Sequence, residues 1–473
     1  MQGARTGRAD GRHPHGPVRL VAVLGAPDSL PDAVVDEQTT VAGAYAMAQF
    51  TEDGRIGGNP IGVRDAAAVS HNLADVRTGG VAPLLAAAPN GDQTSTLPTF
   101  NALANALAGC VGGPTCDELL AAAARPGRPA PTDTFQALVE IARAPGVNVP
   151  QLFALAGVRP LFAPALGAAP TAWTLALRYQ GNGRELDGPG NIAFDAQGDA
   201  WVVNNYRFDP DPHQAVCGGR ALLRFTPDGR TVPGSPYRGG GVYGAGFGVA
   251  IDPTGDVWAG NFGFQGRGCP LDPSPLYRSV SQFTPDGAPL SPRTGWQVGG
   301  IVQPQGMATD HDGTVWVANC GGRSVTRIPY GDPARAQQLT AGGALVKPFG
   351  ITVDAGGRVW ASGNGSDSVV ALNPDGSPDR VVTGGGLDKP MGEAACPPGV
   401  HTGEPISPAD TGYTSDALVR NTGVQVDPSG NVWLTNNWQT VPLQTNPGGH
   451  ELVVFVGLAA PVRTPLIGAP QRP

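Results

Sequence analysis

Five side chains stand out as candidates for acid–base catalysis: His213, His401, His450, Glu393 and Glu404. A His and a Glu brought within hydrogen-bond reach could move a proton to and from a substrate. A second set, Asn204, Asn261, Asn319, Asn364 and Asn436, could instead present neutral donors and acceptors to a polar ligand, or simply cap strands through the amide. Asp209-Pro-Asp-Pro-His213 places carboxylates close together but lacks the glycine and distal Glu of a calcium loop. No Cys-x-x-Cys occurs, and no His lies near Cys110 or Cys116. The residues therefore predict no metal and no cofactor, except under a catalytic reading that would need a divalent ion.

What must position these side chains is a repeat. Asp, two residues, Gly, two residues, Trp, two residues, then Asn or Gly recurs five times, with its Asp and Trp at Asp195 and Trp201, Asp252 and Trp258, Asp310 and Trp316, Asp354 and Trp360, and Asp427 and Trp433. A β-rich run precedes each Asp. The Asp-x-x-Gly is a turn, because the carboxylate can bond backbone N–H groups ahead of it and Gly tolerates positive φ. The Trp opens the returning strand as a plate for packing one sheet against the next. A third strand (Leu222–Phe225, Val280–Phe283, Val369–Leu372) and a weaker fourth (Arg380–Thr383) follow. Four antiparallel strands repeated at a fixed interval predict a β-propeller of five clear blades, with Lys389-Pro-Met-Gly392 as the trace of a sixth.

With the strands of a blade lettered A to D, the long segments 206–220, 262–277 and 438–450 fall between B and C, and 386–420 falls between D and the next A. Both kinds of connection leave an antiparallel blade on one face, opposite the Asp-x-x-Gly turns. Loops gathered on one face of a rigid scaffold are where binding is found.

The remaining sequence divides around the propeller, expected at 172–460. Residues 1–31 read as a disordered or truncated segment and 32–158 as an all-α domain, on the evidence of the helical spacing of Phe100, Leu103, Ala104 and Leu107 and of Asp133 as an N-cap for Thr134–Arg143. Residues 159–171 are a Pro-containing linker, 172–180 a strand that closes the ring on the last blade, and 461–473 a tail. Cys110 and Cys116 flank a short loop and are expected to pair. Cys217, Cys269, Cys320 and Cys396 lie in face loops with their pairing open, which favours disulfides in an oxidising compartment. Arg19–Gly25 is too short an apolar core for export, so the chain is expected to begin inside a precursor whose signal peptide is missing; reduced cytoplasmic thiols are the other option. A net charge of −8, with no basic run beyond the Arg-rich first 20 residues, argues against nonspecific nucleic-acid binding. No apolar run approaches the ~20 residues of a membrane helix.

Copies such as Gly248–Asn261 and Gly423–Asn436 resemble the NHL-repeat and streptogramin-lyase-like propellers over about 170–460. The resemblance implies a propeller. NHL-type propellers mostly bind proteins, peptides or nucleic acid, whereas streptogramin lyases open a cyclic depsipeptide with a metal-assisted His and Glu. Lyase repeats read Trp-Phe-Thr-Glu after the turn; here the positions read Trp-Val-Val-Asn, Trp-Val-Ala-Asn or Trp-Leu-Thr-Asn, and no lyase His or Glu matches. Asp36–Tyr45, Asn101–Cys110, Asp133–Arg143, Tyr413–Gly423 and Pro461–Gly468 further resemble bacterial secreted or surface proteins that carry a helical domain ahead of such a propeller. Two functions are thus expected to compete. One is a monomeric extracytoplasmic recognition protein for a peptide, glycan or protein partner, favoured by the missing lyase signature. The other is a metal-assisted lyase or hydrolase of cyclic or lactone substrates.

Overall fold

The computed structural model describes residues 17–25, 32–209, 211, 217–265, 268–269, 276–366, 368–383, 413, 415–438 and 448–473. His213, Glu393, Cys396, His401 and Glu404 lie outside them.

Seven α-helices come first: α1 (Glu37–Ala46), α2 (Pro60–Ser70), α3 (Pro83–Ala86), α4 (Thr96–Val111), α5 (Cys116–Ala123), α6 (Thr134–Arg143) and α7 (Val149–Ala156). Asp133 caps α6 as its position predicts, accepting from the backbone N–H of Gln136 at 2.8 Å. The segment is not purely helical, because a small hairpin of β1 (Thr51–Glu52) and β2 (Arg55–Ile56) interrupts it.

Five antiparallel sheets follow. The strand β3 (Ala176–Tyr179) is set aside for the last of them. Sheet one holds β4 (Pro189–Phe194), β5 (Ala200–Asn204), β6 (Ala221–Phe225) and β7 (Tyr237–Arg238). Sheet two holds β8 (Val249–Ile251), β9 (Val257–Asn261) and β10 (Ser279–Phe283); isolated bridges from Val280 to Trp296 and from Phe283 to Pro289 stand where its fourth strand would run. Sheet three holds β11 (Pro304–Thr309), β12 (Val315–Asn319), β13 (Ser324–Ile328) and β14 (Gln337–Leu339). Sheet four holds β15 (Pro348–Val353), β16 (Val359–Gly363), β17 (Ser368–Leu372) and β18 (Pro378–Thr383). Sheet five holds β19 (Arg420–Val426), β20 (Val432–Trp438) and β21 (Gly448–Phe455), and β3 completes it by pairing with β21. The chain thereby fastens its first propeller strand onto its last sheet. Repeated antiparallel sheets of this order are those of a β-propeller with added helices.

Every repeat hairpin is held in one way. The Asp Oδ1 accepts from backbone N–H groups two and four residues on, as Asp310 does from Asp312 (3.1 Å) and Thr314 (2.9 Å). The Oδ2 accepts from the indole N–H six residues on. That bond measures 2.9 Å at Asp195–Trp201, 2.9 Å at Asp252–Trp258, 3.0 Å at Asp310–Trp316, 2.9 Å at Asp354–Trp360 and 2.8 Å at Asp427–Trp433. The glycine of each turn has φ between 76° and 89° (Gly198, Gly255, Gly313, Gly357, Gly430), which a side chain would strain.

The indoles then serve as inter-sheet wedges. Trp201 packs among Val249, Ile251, Val257 and Phe283 of sheet two, and Trp258 among Val315 and Ile328 of sheet three. Trp316 lies in the core of sheet four with Val353, Val359 and Val370, and Trp433 shares a core with Phe194 and Phe225 of sheet one. Trp360 belongs to no such cluster and is only half-buried, flanked by Arg358 and Arg380. The core around Trp433 runs without a break into α1, α4, α6 and α7. The helices also reach the turns of sheets one and five: Ser429 Oγ donates to the Gly62 carbonyl (3.0 Å), Gln49 to that of Gly457 (2.8 Å), and Arg64 to that of Gln197.

Candidate functional site

The first strands of all five sheets line one cavity of about 660 Å³. One end meets the Asp-x-x-Gly turns, and the C-terminal segment lies there. Val462 N–H donates to the Asp427 carbonyl (3.4 Å), Thr464 Oγ1 to that of Asp195 (2.8 Å) and Gly468 N–H to that of Thr309 (2.9 Å). Alternate residues Val462, Thr464, Leu466, Gly468 and Pro470 face the cavity, as an extended chain allows. The expected tail is therefore part of the wall.

The other end carries the B–C loops, and aromatic rings collect there. Phe264 lies between Tyr206 (6.2 Å), Trp438 (6.1 Å), Phe247 (6.0 Å) and Phe262 (4.3 Å), measured between centroids. Phe247 in turn meets Phe349 at 5.7 Å, so that the inner strands of sheets two and four touch across the mouth. These residues come from the loops after β5 and β9, from the last residue of β20, from the approach to β8 and from the start of β15. Contact among them shows that the long connections of sheets one, two and five share a face. A disulfide joins two of those loops, Cys217 to Cys269, and the expected Cys110–Cys116 pair is present as well. Cys320 is a free, half-buried thiol. The Cys217–Cys269 bond closes a loop 52 residues long. The double substitution Cys217→Ser/Cys269→Ser is expected to lower the unfolding free energy by about 2–4 kcal/mol, read from urea melts.

The repeat asparagines sit where the spacing puts them, at the loop-side ends of β5, β9, β12 and β20, but four of the five are buried and engaged inward. Asn204 donates to the carbonyls of Glu185 (3.1 Å) and Tyr206 (2.8 Å) and accepts from Asp187 N–H (2.8 Å). Asn261 holds Ser279 and Ser281 at 2.8 and 3.0 Å, and Asn319 holds Ser324 and Thr326 at 3.0 and 2.9 Å. Asn436 bonds the Ala417 carbonyl and Glu451. Only Asn364 is exposed, in the turn after β16. Asn261 and Asn436 tie the loop entering their sheet to the strand beside them, Asn204 ties two loops together, and Asn319 bonds only the neighbouring strand β13. His450, the one described member of the acid–base set, has Nδ1 2.8 Å from the Leu186 carbonyl and its ring against Phe208.

A carboxyl group without a sequence signal stands behind this face. Asp187, between β3 and β4, is fully buried, and neither carboxyl oxygen has a hydrogen-bond partner. Burial, with a smaller push from the negative charge of Asp209, raises its pKa to about 8. Asp187 is thus largely protonated at neutral pH. The cavity wall itself is neutral. Asn191, Thr309, Thr352, Thr422, Gln425 and Thr464 are its polar side chains, and no carboxylate, imidazole, thiol or amine lines it among the described residues. Also among the described residues, no group of three or more metal-ligating side chains is gathered anywhere, and no helix is long and apolar enough to cross a membrane.

Comparison with family models gives no match, and comparison with curated proteins gives none either. Among solved structures, the chain is similar to a streptogramin B lyase at 12% identity, covering 60% of this chain and 97% of the other with a TM-score of 0.29. It is similar to a gluconolactonase of Xanthomonas campestris at 19% identity, covering 60% and 89% with a TM-score of 0.29. A luciferin-regenerating enzyme matches at 14% identity, covering 60% and 96% with a TM-score of 0.30. The propeller assignment rests on the sheet order described above rather than on these likenesses.

Proposed function

We propose that this protein is a monomeric, extracytoplasmic recognition protein whose loop-bearing face holds a peptide, glycan or protein partner without a cofactor. In this reading the five sheets form the ring, with β3 as its clasp, and 32–158 is a supporting helical unit. The observation that carries the proposal is the aromatic group Phe247, Phe264, Phe349 and Trp438, gathered around the buried Tyr206 at one mouth of a neutral cavity. Aromatic rings offer large contact area at little entropic cost and accept both apolar side chains and sugar faces. Two disulfides fit an oxidising compartment. The buried amides of Asn204, Asn261 and Asn436 hold the loops in place, so the ligand is met by rings more than by amides.

The experiment is binding of the full chain to peptide and glycan arrays, with Phe264→Ala and Trp438→Ala alongside. Hot-spot truncation is expected to weaken the strongest hits by about tenfold or more, while a chelator leaves them unchanged. Binding indifferent to both substitutions would overturn the reading. So would chelator-sensitive ring opening of a lactone or cyclic depsipeptide, which would establish the competing lyase or hydrolase.

A further inference from the structure

We propose that the central cavity is a second site, adjoining the loop face at Phe247 and Phe349, which binds one uncharged small molecule of mixed polarity. It does not depend on the loop face being a recognition surface. At about 660 Å³ the cavity lies in the ~300–1,000 Å³ range of small-molecule pockets. Its chemistry is selective. A charged ligand would lose its hydration there and meet no opposite charge among the described lining residues, a penalty proteins avoid by pairing buried charges.

The wall nonetheless offers hydrogen bonds. β4, β8, β11, β15 and β19 are each the terminal strand of a sheet, so one backbone edge of every inner strand lacks a partner strand. Some of these carbonyls accept from side chains of a neighbouring inner strand, as Ile251 does from Thr309 (2.9 Å) and Gly190 from Thr422 (2.9 Å); edge groups without such a partner need water or a ligand. Thr352 and Gln425 add side chains that make no hydrogen bond among the described residues. Between them stand partly exposed apolar groups such as Ala193, Ala308, Ile351 and Val424. Esters, ethers, amides and hydroxyls on an apolar frame match this alternation; carboxylates, phosphates and amines do not.

The C-terminal segment lines the cavity at the turn side, and other lining residues open it to solvent. Val424 is 58% exposed and Phe349 37% exposed, although both line it. Val424 therefore has room for a larger side chain without loss of core packing. Gly350 lies on the facing strand β15 at ordinary negative φ. A Cβ placed there would meet only the Ser362 hydroxyl, at 3.3 Å.

The test titrates the full chain with Nile red, an uncharged probe, and with anilinonaphthalene sulfonate, an anionic one. Saturable binding of one Nile red per chain is expected, with the anionic probe at least about tenfold weaker (1.4 kcal/mol). Val424→Trp and Gly350→Leu, each confirmed to keep the parental unfolding midpoint, are expected to weaken Nile red by a similar factor. The proposal fails if Nile red binding does not saturate, if the anionic probe binds as tightly, or if both folded variants bind Nile red like the parent. None of these outcomes bears on array binding at the loop face, so the two readings can fail separately.

Discussion

Trp316→Ala will lower the unfolding free energy by about 3–5 kcal/mol, and Trp360→Ala by less than about half as much. Both indoles donate to the aspartate six residues earlier, at 3.0 and 2.9 Å, so the two substitutions lose the same hydrogen bond. They differ in packing. Trp316 is fully buried and wedged into the core of sheet four, where its removal leaves a cavity that the strands cannot collapse to fill. Trp360 is half-buried between two arginines, and water can take up the vacated space. Urea midpoints of the two variants measure the gap. Equal losses would mean that the Asp–Trp hydrogen bond, rather than the wedge, carries the stabilisation.

Asp187→Asn will make the protein more stable at pH 8–9, by about 2 kcal/mol, and will flatten its pH profile below that range. The folded carboxyl has its pKa raised to about 8 from an ordinary value of 3.8. Between those values the folded state binds more protons than the unfolded chain, so the unfolding free energy falls as pH rises. The contribution is favourable below about pH 4, declines across the window, and is fully lost above about pH 8. One unit of pKa shift corresponds to about 1.4 kcal/mol, so the full shift sets an upper bound that relaxation and entering water reduce to the smaller figure. Asp65, raised to about 7 chiefly by burial and only partly relieved by Arg64, slopes the same way over a lower window. Burial also raises Asp199, Asp256 and Asp427, so the difference between the parent and Asp187→Asn profiles, rather than the slope of either, reports Asp187. Thermal melts of the two proteins across pH 5 to 9 read the effect, and parallel profiles would show that Asp187 is not buried as an uncompensated acid.

Much of this architecture is legible in the residues because the repeat ties strand, turn and wedge to fixed spacings. The β3 clasp, the B–C position of the long loops, the Asp133 cap and the Cys110–Cys116 pair all follow from local pattern. The Asp–Trp hydrogen bond does not. It joins positions six apart that meet only after the hairpin has folded, and the turn alone already accounts for the Asp. The asparagines illustrate a second limit. Spacing sets their place along the strand, whereas the direction of the amide depends on which loop crosses beside it, and that loop comes from another part of the chain. The C-terminal segment is irregular and Pro-containing, so no periodicity announces that it walls a cavity. Asp187 sits outside the repeat, and only tertiary burial makes it unusual. Of the acid–base set only His450 lies among the described residues, with Phe208 and the Leu186 carbonyl among its partners.

The proposed binding face is tested most directly by hydrogen–deuterium exchange of the full chain, with and without the strongest array ligand. Protection is predicted at 205–209, 217–220, 262–265 and 276–278, around the aromatic mouth and the Cys217–Cys269 bridge. Protection confined to the Asp-x-x-Gly turns, to the C-terminal segment or to the helices would contradict it.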